Sequence, residues 1–222
     1  MNGLVAICLQ LFIEEGGMRR AIQVLVLALV LSLPMSAMAG GNSVTVEFDN
    51  RNSQWAPRLM LLANPVDDLM VDIRRGIGGK HLQLLSGWNF KVGDSFVISP
   101  YAGIGLDDTD KLRPIYAQAE VITFAKAGVF RNVFIASYSL GIQGAPDTVY
   151  FQEKAWAQFS EFCIGMQTDV VILPLDSGDI AFWRLGPNAG YSLTSRILFT
   201  VWPNYEFQSE TWGVRFGTNF KF

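Results

Sequence analysis

Beyond Gly40, apolar residues recur at every second position over most of the chain, the spacing of a strand with one greasy and one polar face. In HLQLLSGWNFKV, Leu82, Leu84, Trp88, Phe90 and Val92 share one phase, while His81, Gln83, Asn89 and Lys91 take the other. The next run, SFVISPYAGIGL, sets Phe96, Ile98, Pro100, Ala102, Ile104 and Leu106 against Ser95, Ser99, Tyr101, Gly103 and Gly105. With the polar turn VGDS between them, these stretches predict an antiparallel hairpin.

The same period runs through SVTVEFD, LMVDIRR, IYAQAEV and YSLTSRILFTV, the last read as one strand over 191–201. It closes the chain in TWGVRFGTNFKF, where Trp212, Val214, Phe216, Phe220 and Phe222 alternate with Gly213, Arg215, Gly217, Asn219 and Lys221. Less regular candidates lie at 129–143, 148–159, 161–173 and 178–186, and PRLMLLA at 57–63 reads either as a short strand or as part of an N-terminal extension. Connections are predicted at NPVDD, GIGGK, VGDS, LDDTDK, KAGVFRN, GAPD, LPLDSG and LGPNAG, all rich in turn formers. No three-turn amphipathic helix and no Pro/Ser-rich linker interrupts the pattern, so residues 40–222 read as one all-β antiparallel domain.

Composition changes the picture at the N-terminus. Ala21 to Pro34 is an apolar run that follows Arg19 and Arg20 and leads into Ala37, Met38 and Ala39. A basic region, a short apolar core and a small-x-small site are the parts of a secretory signal peptide, here 18–39 with cleavage after Ala39. Residues 1–17 place Glu14 and Glu15 ahead of the basic pair and read as a misassigned start or a leader extension. Cys163 is then the only cysteine of the mature chain, so the exported domain must be held by packing or by closure of a sheet rather than by an internal disulfide. The net charge is −3 and the basic residues come singly or in pairs, which excludes a nucleic-acid footprint.

Alternation alone fits a soluble sandwich, a lipocalin-like barrel or a membrane barrel, and three features favour the last. The apolar faces are long, near the 9–11 residues a tilted membrane strand needs. The opposite faces carry small and hydrogen-bonding residues, and only 17% of the chain is charged, against about a quarter in ordinary soluble domains. Trp88, Trp202, Trp212, Tyr191 and Tyr205 fall near predicted strand ends, as the aromatic girdles of a membrane barrel require. The expectation is an antiparallel transmembrane β-barrel of about ten strands, with eight to twelve open. The number turns on whether 148–173 is one strand or two and whether 57–75 joins the wall.

The closing stretch TWGVRFGTNFKF resembles the C-terminal strand of Gram-negative outer-membrane β-barrels, although Thr218 departs from the apolar phase. The strands around SPYAGIGL are similar to those of small OmpA-like or OmpW-like barrels. The resemblance implies placement in the outer membrane, contact with its lipid and lipopolysaccharide, and recognition by the barrel-assembly machinery of Trp212, Val214, Phe216, Phe220 and Phe222. It fixes no oligomeric state, and a monomer is compatible with it.

Candidate chemistry follows from the polar phase. Asp72, Arg74, Lys91, Glu120, Arg196 and Arg215, with Asp169 on a less regular segment, predict a lumen charge network, since carboxylates and cations enclosed in a narrow barrel demand partners. The expected function is a structural barrel or a narrow passive channel for small solutes, without cofactor. Two alternatives stand beside it: a lipid- or lipopolysaccharide-modifying enzyme and a soluble periplasmic β-domain that binds an apolar ligand. The sole histidine, His81, would carry the enzymatic one by activating a serine or water, with Ser86, Ser99 and Ser137 as candidate nucleophiles. Asp107, Asp108 and Asp110 offer oxygen ligands for a divalent cation but no ordered loop pattern, so no metal site is assigned.

Overall fold

The computed structural model describes residues 42–51, 54–66, 68–76, 81–107, 113–142, 144–173 and 179–221. The leader segments at 1–17 and 18–39, together with Phe222, Asp108 and Asp110, lie outside them. The strands are β1 (Ser43–Arg51), β2 (Gln54–Val66), β3 (Leu69–Gly76), β4 (His81–Trp88), β5 (Phe90–Val92), β6 (Phe96–Asp107) and β7 (Arg113–Ala127). They continue as β8 (Phe130–Gly141), β9 (Thr148–Phe159), β10 (Phe162–Ile172), β11 (Ile180–Thr194), β12 (Ile197–Glu206) and β13 (Thr211–Lys221). Each pairs antiparallel with its neighbour, and the sheet closes because β13 pairs with β1, from Ser43↔Lys221 to Asn50↔Val214. β4 and β5 both pair with β6 on either side of Asn89, so the wall counts twelve to thirteen strands according to whether they are taken as one. Closure satisfies every edge, the condition for a sheet to stand in hydrocarbon.

The central estimate of ten is exceeded because both ambiguous stretches divide. Residues 57–75 enter β2 and β3, while 148–173 folds back at Ser160, whose φ of 51° turns the chain between β9 and β10. One end of the barrel carries these tight turns, among them the Gly128 connection at φ 58° that a left-handed turn favours. The opposite end carries the connections at 77–80, 108–112, 142–147 and 173–179. These are called here the turn end and the loop end.

The structure corrects three sequence expectations. Residues 191–201 are not one strand: Tyr191–Thr194 end β11, Ser195 and Arg196 make the turn, and Ile197 begins β12. LGPNAG is not a connection but the middle of β11. Its turn-forming composition has a different cause. The β11–β12 register holds at Leu185↔Tyr205 and resumes at Ala189↔Val201, and the interval contains Pro187 and Pro203, which lack N–H groups and thin the ladder there. Side chains occupy the gap: the Trp202 indole N–H donates to the Gly186 carbonyl at 3.2 Å, and the Asn204 amide donates to the Trp202 carbonyl at 3.0 Å. A side chain at Gly186 would meet the Pro203 carbonyl oxygen at 2.0 Å, so glycine is there for close approach and not for a turn. Trp202 is accordingly a lumen residue, 3% exposed, and not a girdle aromatic.

The polarity of the wall is inverted relative to a soluble sheet. Phe48, Trp88, Phe90, Ile104, Phe130, Phe162, Ile164, Phe199, Trp212 and Phe216 are exposed on the outer face. Asp49, Asp72, Gln118, Glu120, Asp169, Arg184, Asn188 and Arg215 are buried on the inner one. Apolar residues outward and polar residues enclosed is the arrangement of a multi-pass outer-membrane barrel. A polar pair interrupts the outer band, Asn132 Nδ2 donating to Glu153 Oε1 at 3.0 Å. Inside, a small apolar cluster of Met70, Leu85 and Tyr101, flanked by Leu62 and Ile122, fills part of the lumen.

Glycines on the inner face make room for large neighbours. Gly105 lies in register between Gln83 and Tyr116, whose side chains meet over it through a 2.8 Å bond from Gln83 Nε2 to the Tyr116 hydroxyl. A Cβ at Gly105 would fall 1.9 Å from Tyr116 Cζ. Gly105→Val is therefore expected to displace the ring, break that bond and cost about 1–3 kcal/mol, read as a lowered midpoint of urea unfolding from lipid vesicles. An unchanged midpoint would show that the ring is not seated on this backbone.

Candidate functional site

Two groups of ionised side chains cross the lumen. The first joins β3 to β7. Arg74 donates from Nη1 and Nη2 to the two carboxylate oxygens of Glu120 at 2.8 and 2.5 Å, and from Nε and Nη2 to Asp72 Oδ2 at 2.8 and 2.6 Å. Gln118 Nε2 adds a 3.1 Å bond to Glu120. Alternation explains the grouping: Asp72 and Arg74 are two apart on one inward phase, as are Gln118 and Glu120. The planar guanidinium suits such forked contacts and holds two carboxylates that would otherwise repel.

The second group joins β1, β10, β11 and β13. Arg184 reaches Asp49 Oδ2 at 3.0 Å and Asp169 Oδ2 at 3.1 Å, and Arg215 reaches the same two oxygens at 3.2 Å each. All four residues are at most 4% exposed. Two cations thus face two anions, and Gln152 Nε2 donates to the remaining Asp169 oxygen at 2.8 Å. Trp202 closes one side, its ring 5.2 Å from the Arg184 guanidinium carbon and 4.7 Å from that of Arg215, within the range of cation–π attraction. Glu47 extends the group, 4.0 Å from Arg215 and 3.9 Å from Arg58.

Among the residues singled out from sequence, Asp72, Arg74 and Glu120 meet in the first group, and Arg215 and Asp169 in the second. Lys91 and Arg196 join neither. Lys91 is 70% exposed at the turn end and pairs with Asp68 at 3.3 Å, while Arg196 is exposed in the β11–β12 turn. Both have the inward-facing phase or lie next to it, but they sit at the mouth. Asp49 and Arg184 escaped the sequence reading. Asp49 stands on the recognised polar face of β1, whereas Arg184 was obscured by the glycines and proline around it, though Phe182, Arg184, Gly186 and Asn188 do alternate with Trp183, Leu185 and Pro187.

The elements of the enzymatic alternative do not converge. His81 is exposed at the loop end and pairs in register with Asp107, whose carboxylate binds Arg113 at 3.1 Å. Ser86 faces outward, and Ser99 donates to Asn89 Oδ1 at 2.6 Å. Among the described residues no hydrogen bond joins His81 to Ser86, Ser99 or Ser137, and no three His, Cys, Asp or Glu side chains gather as a metal site. At the loop end, Asp147 accepts from the Tyr138 hydroxyl and the Gly141 N–H, which holds its carboxyl below the usual range.

The turn-end mouth contains a cavity of 400 Å³ on the lumen side of β7–β13. Arg131, Lys154, Arg196 and Lys221 line it, with Ser192 and Thr194 between them.

No family model matches the sequence, and no curated relative matches it. Solved structures do match in fold. The barrel is similar to the KdgM porin, with a TM-score of 0.61 at 10% identity over 81% of this chain and 99% of that one. It is similar to the NanC porin, with a TM-score of 0.60 at 10% identity over 82% of this chain and 100% of the other. A KdgM porin in complex with disordered oligogalacturonate gives a TM-score of 0.57, again at 10% identity. This chain has the β-barrel fold of the outer-membrane porins.

Proposed function

We propose that the protein is a narrow passive passage for small solutes, built on a wall of twelve strands in which β4 and β5 form one strand interrupted at Asn89. The carrying observation is the lumen itself: its wall is polar and charged, yet two braces of buried ion pairs and an apolar cluster subdivide it. An interior made only to be filled would not need so many ionised groups, since apolar packing of similar volume serves stability as well. Twelve also satisfies the even strand count of bacterial single-chain barrels. The porin-like fold supports the reading, and the oligogalacturonate seen with one KdgM porin belongs to that protein.

The chain is read as exported by the segment at 18–39 with cleavage after Ala39, 1–17 being a leader extension or misassigned start, and as delivered to the barrel-assembly machinery by Trp212, Val214, Phe216, Phe220 and Phe222. A monomer suffices, because the charge network of Asp72, Arg74, Glu120, Asp49, Asp169, Arg184 and Arg215 braces the wall from within. Purified barrel added to planar bilayers is expected to give small, discrete current steps. A folded, heat-modifiable protein that inserts without conductance would overturn the passage and leave a structural barrel.

A further inference from the structure

We propose that the turn-end mouth is a binding vestibule for small soluble oxyanions, of the phosphate or carboxylate class, which deepens and rests on the passage reading. Arg131 from β8, Lys154 from β9, Arg196 from the β11–β12 turn and Lys221 from β13 line one cavity, and no Asp or Glu is among its lining residues. The hydroxyls of Ser192, Thr194 and Ser195 share that lining. Such a donor set matches an oxyanion in both charge and hydrogen bonding.

Among the described residues no ion pair joins these four cations to a carboxylate. The braced lumen above answers its arginines with carboxylates, whereas Lys154 is half-buried with the Trp156 ring at 5.4 Å as its near partner. Glu47, whose field reaches Lys154, is shared with Arg58 and Arg215. Glu161 lies on the neighbouring turn, exposed, and interacts with Ser160. Arg131 donates to the Gly128 and Phe130 carbonyls at 2.5 and 2.8 Å, which fixes its position without neutralising its charge.

Because Arg131, Lys154 and Lys221 take inward-facing positions and Arg196 a turn position, an oxyanion reaches them from water along the axis rather than from the lipid side.

Inorganic phosphate titrated into the detergent-solubilised barrel, followed by calorimetry, tests this directly. Wild type is expected to bind saturably, and K154Q/K221Q to bind about tenfold or more weakly, two charge-assisted contacts being lost. Heat-modifiable migration checks that the variant remains folded, with R196Q as a second variant outside any strand. No saturable binding by wild type, or equal affinity in both folded variants, would overturn the vestibule. Reversal potentials in bilayers under a salt gradient separate the two readings. Phosphate binding without conductance refutes the passage and supports the vestibule; conductance without phosphate binding does the reverse.

Discussion

Arg184→Met is expected to destabilise the barrel by about 3–5 kcal/mol, seen as a lower midpoint of chemical unfolding from vesicles and a lower temperature of gel-shift conversion. The size follows from what the substitution leaves behind. Asp49 and Asp169, each 1% exposed, would lose the Arg184 guanidinium and keep that of Arg215. Two buried carboxylates then lose a cation that both contact, and the enclosed site offers little water to screen the excess charge. Methionine preserves much of the stem volume, so the loss reports the guanidinium, with its cation–π contacts to Phe182 and Trp202, rather than a cavity. The double variant R184M/D169N removes one carboxylate together with the guanidinium and is expected to recover part of the loss. If R184M matches wild type, the group is hydrated and the barrel is not braced by it.

How far this brace was legible in sequence depends on a difference between face and depth. Alternation reports which side of the sheet a residue takes, and it did so for Asp72, Glu120, Arg215 and the outward aromatics of β4, β6 and β13. It carries no information on height along the barrel axis. Lys91 and Arg196 were grouped with the lumen charges, yet one sits at a turn-end rim and the other in a turn, because depth is fixed by where hairpins fold back. β11 was hidden for another reason. Gly186, Pro187 and Gly190 look like a connection, but they serve close strand approach and a thinned ladder beside Pro203. The same interruption draws Trp202 inward to donate to Gly186, and with it the aromatic that flanks Arg184 and Arg215. The vestibule was illegible because its cations come from four separate elements and meet only when the sheet closes.

Val121→Arg is expected to cost about 2–4 kcal/mol when the barrel is unfolded from lipid vesicles, the range for a cation on the lipid face near the bilayer midplane. Val121 stands near the middle of β7 on the outer face, and its register partners are Pro100 and Ala136, neither of which has a side-chain acceptor. An arginine there would have to reach an interface many residues away or remain unpaired in hydrocarbon. The outward Glu153 differs on both counts, being a carboxylate, which costs less in this setting, and having Asn132 beside it. The adjacent residue makes the contrast sharp: Glu120, one step along the same strand, is 2% exposed and held by Arg74 and Gln118. Val121→Leu should be nearly neutral, and the arginine penalty should shrink for a variant placed at a strand end, where headgroups receive the cation. A Val121→Arg barrel as stable as wild type, with Val121→Leu the damaging change, would mean that this face packs against protein and that the wall is not turned toward lipid.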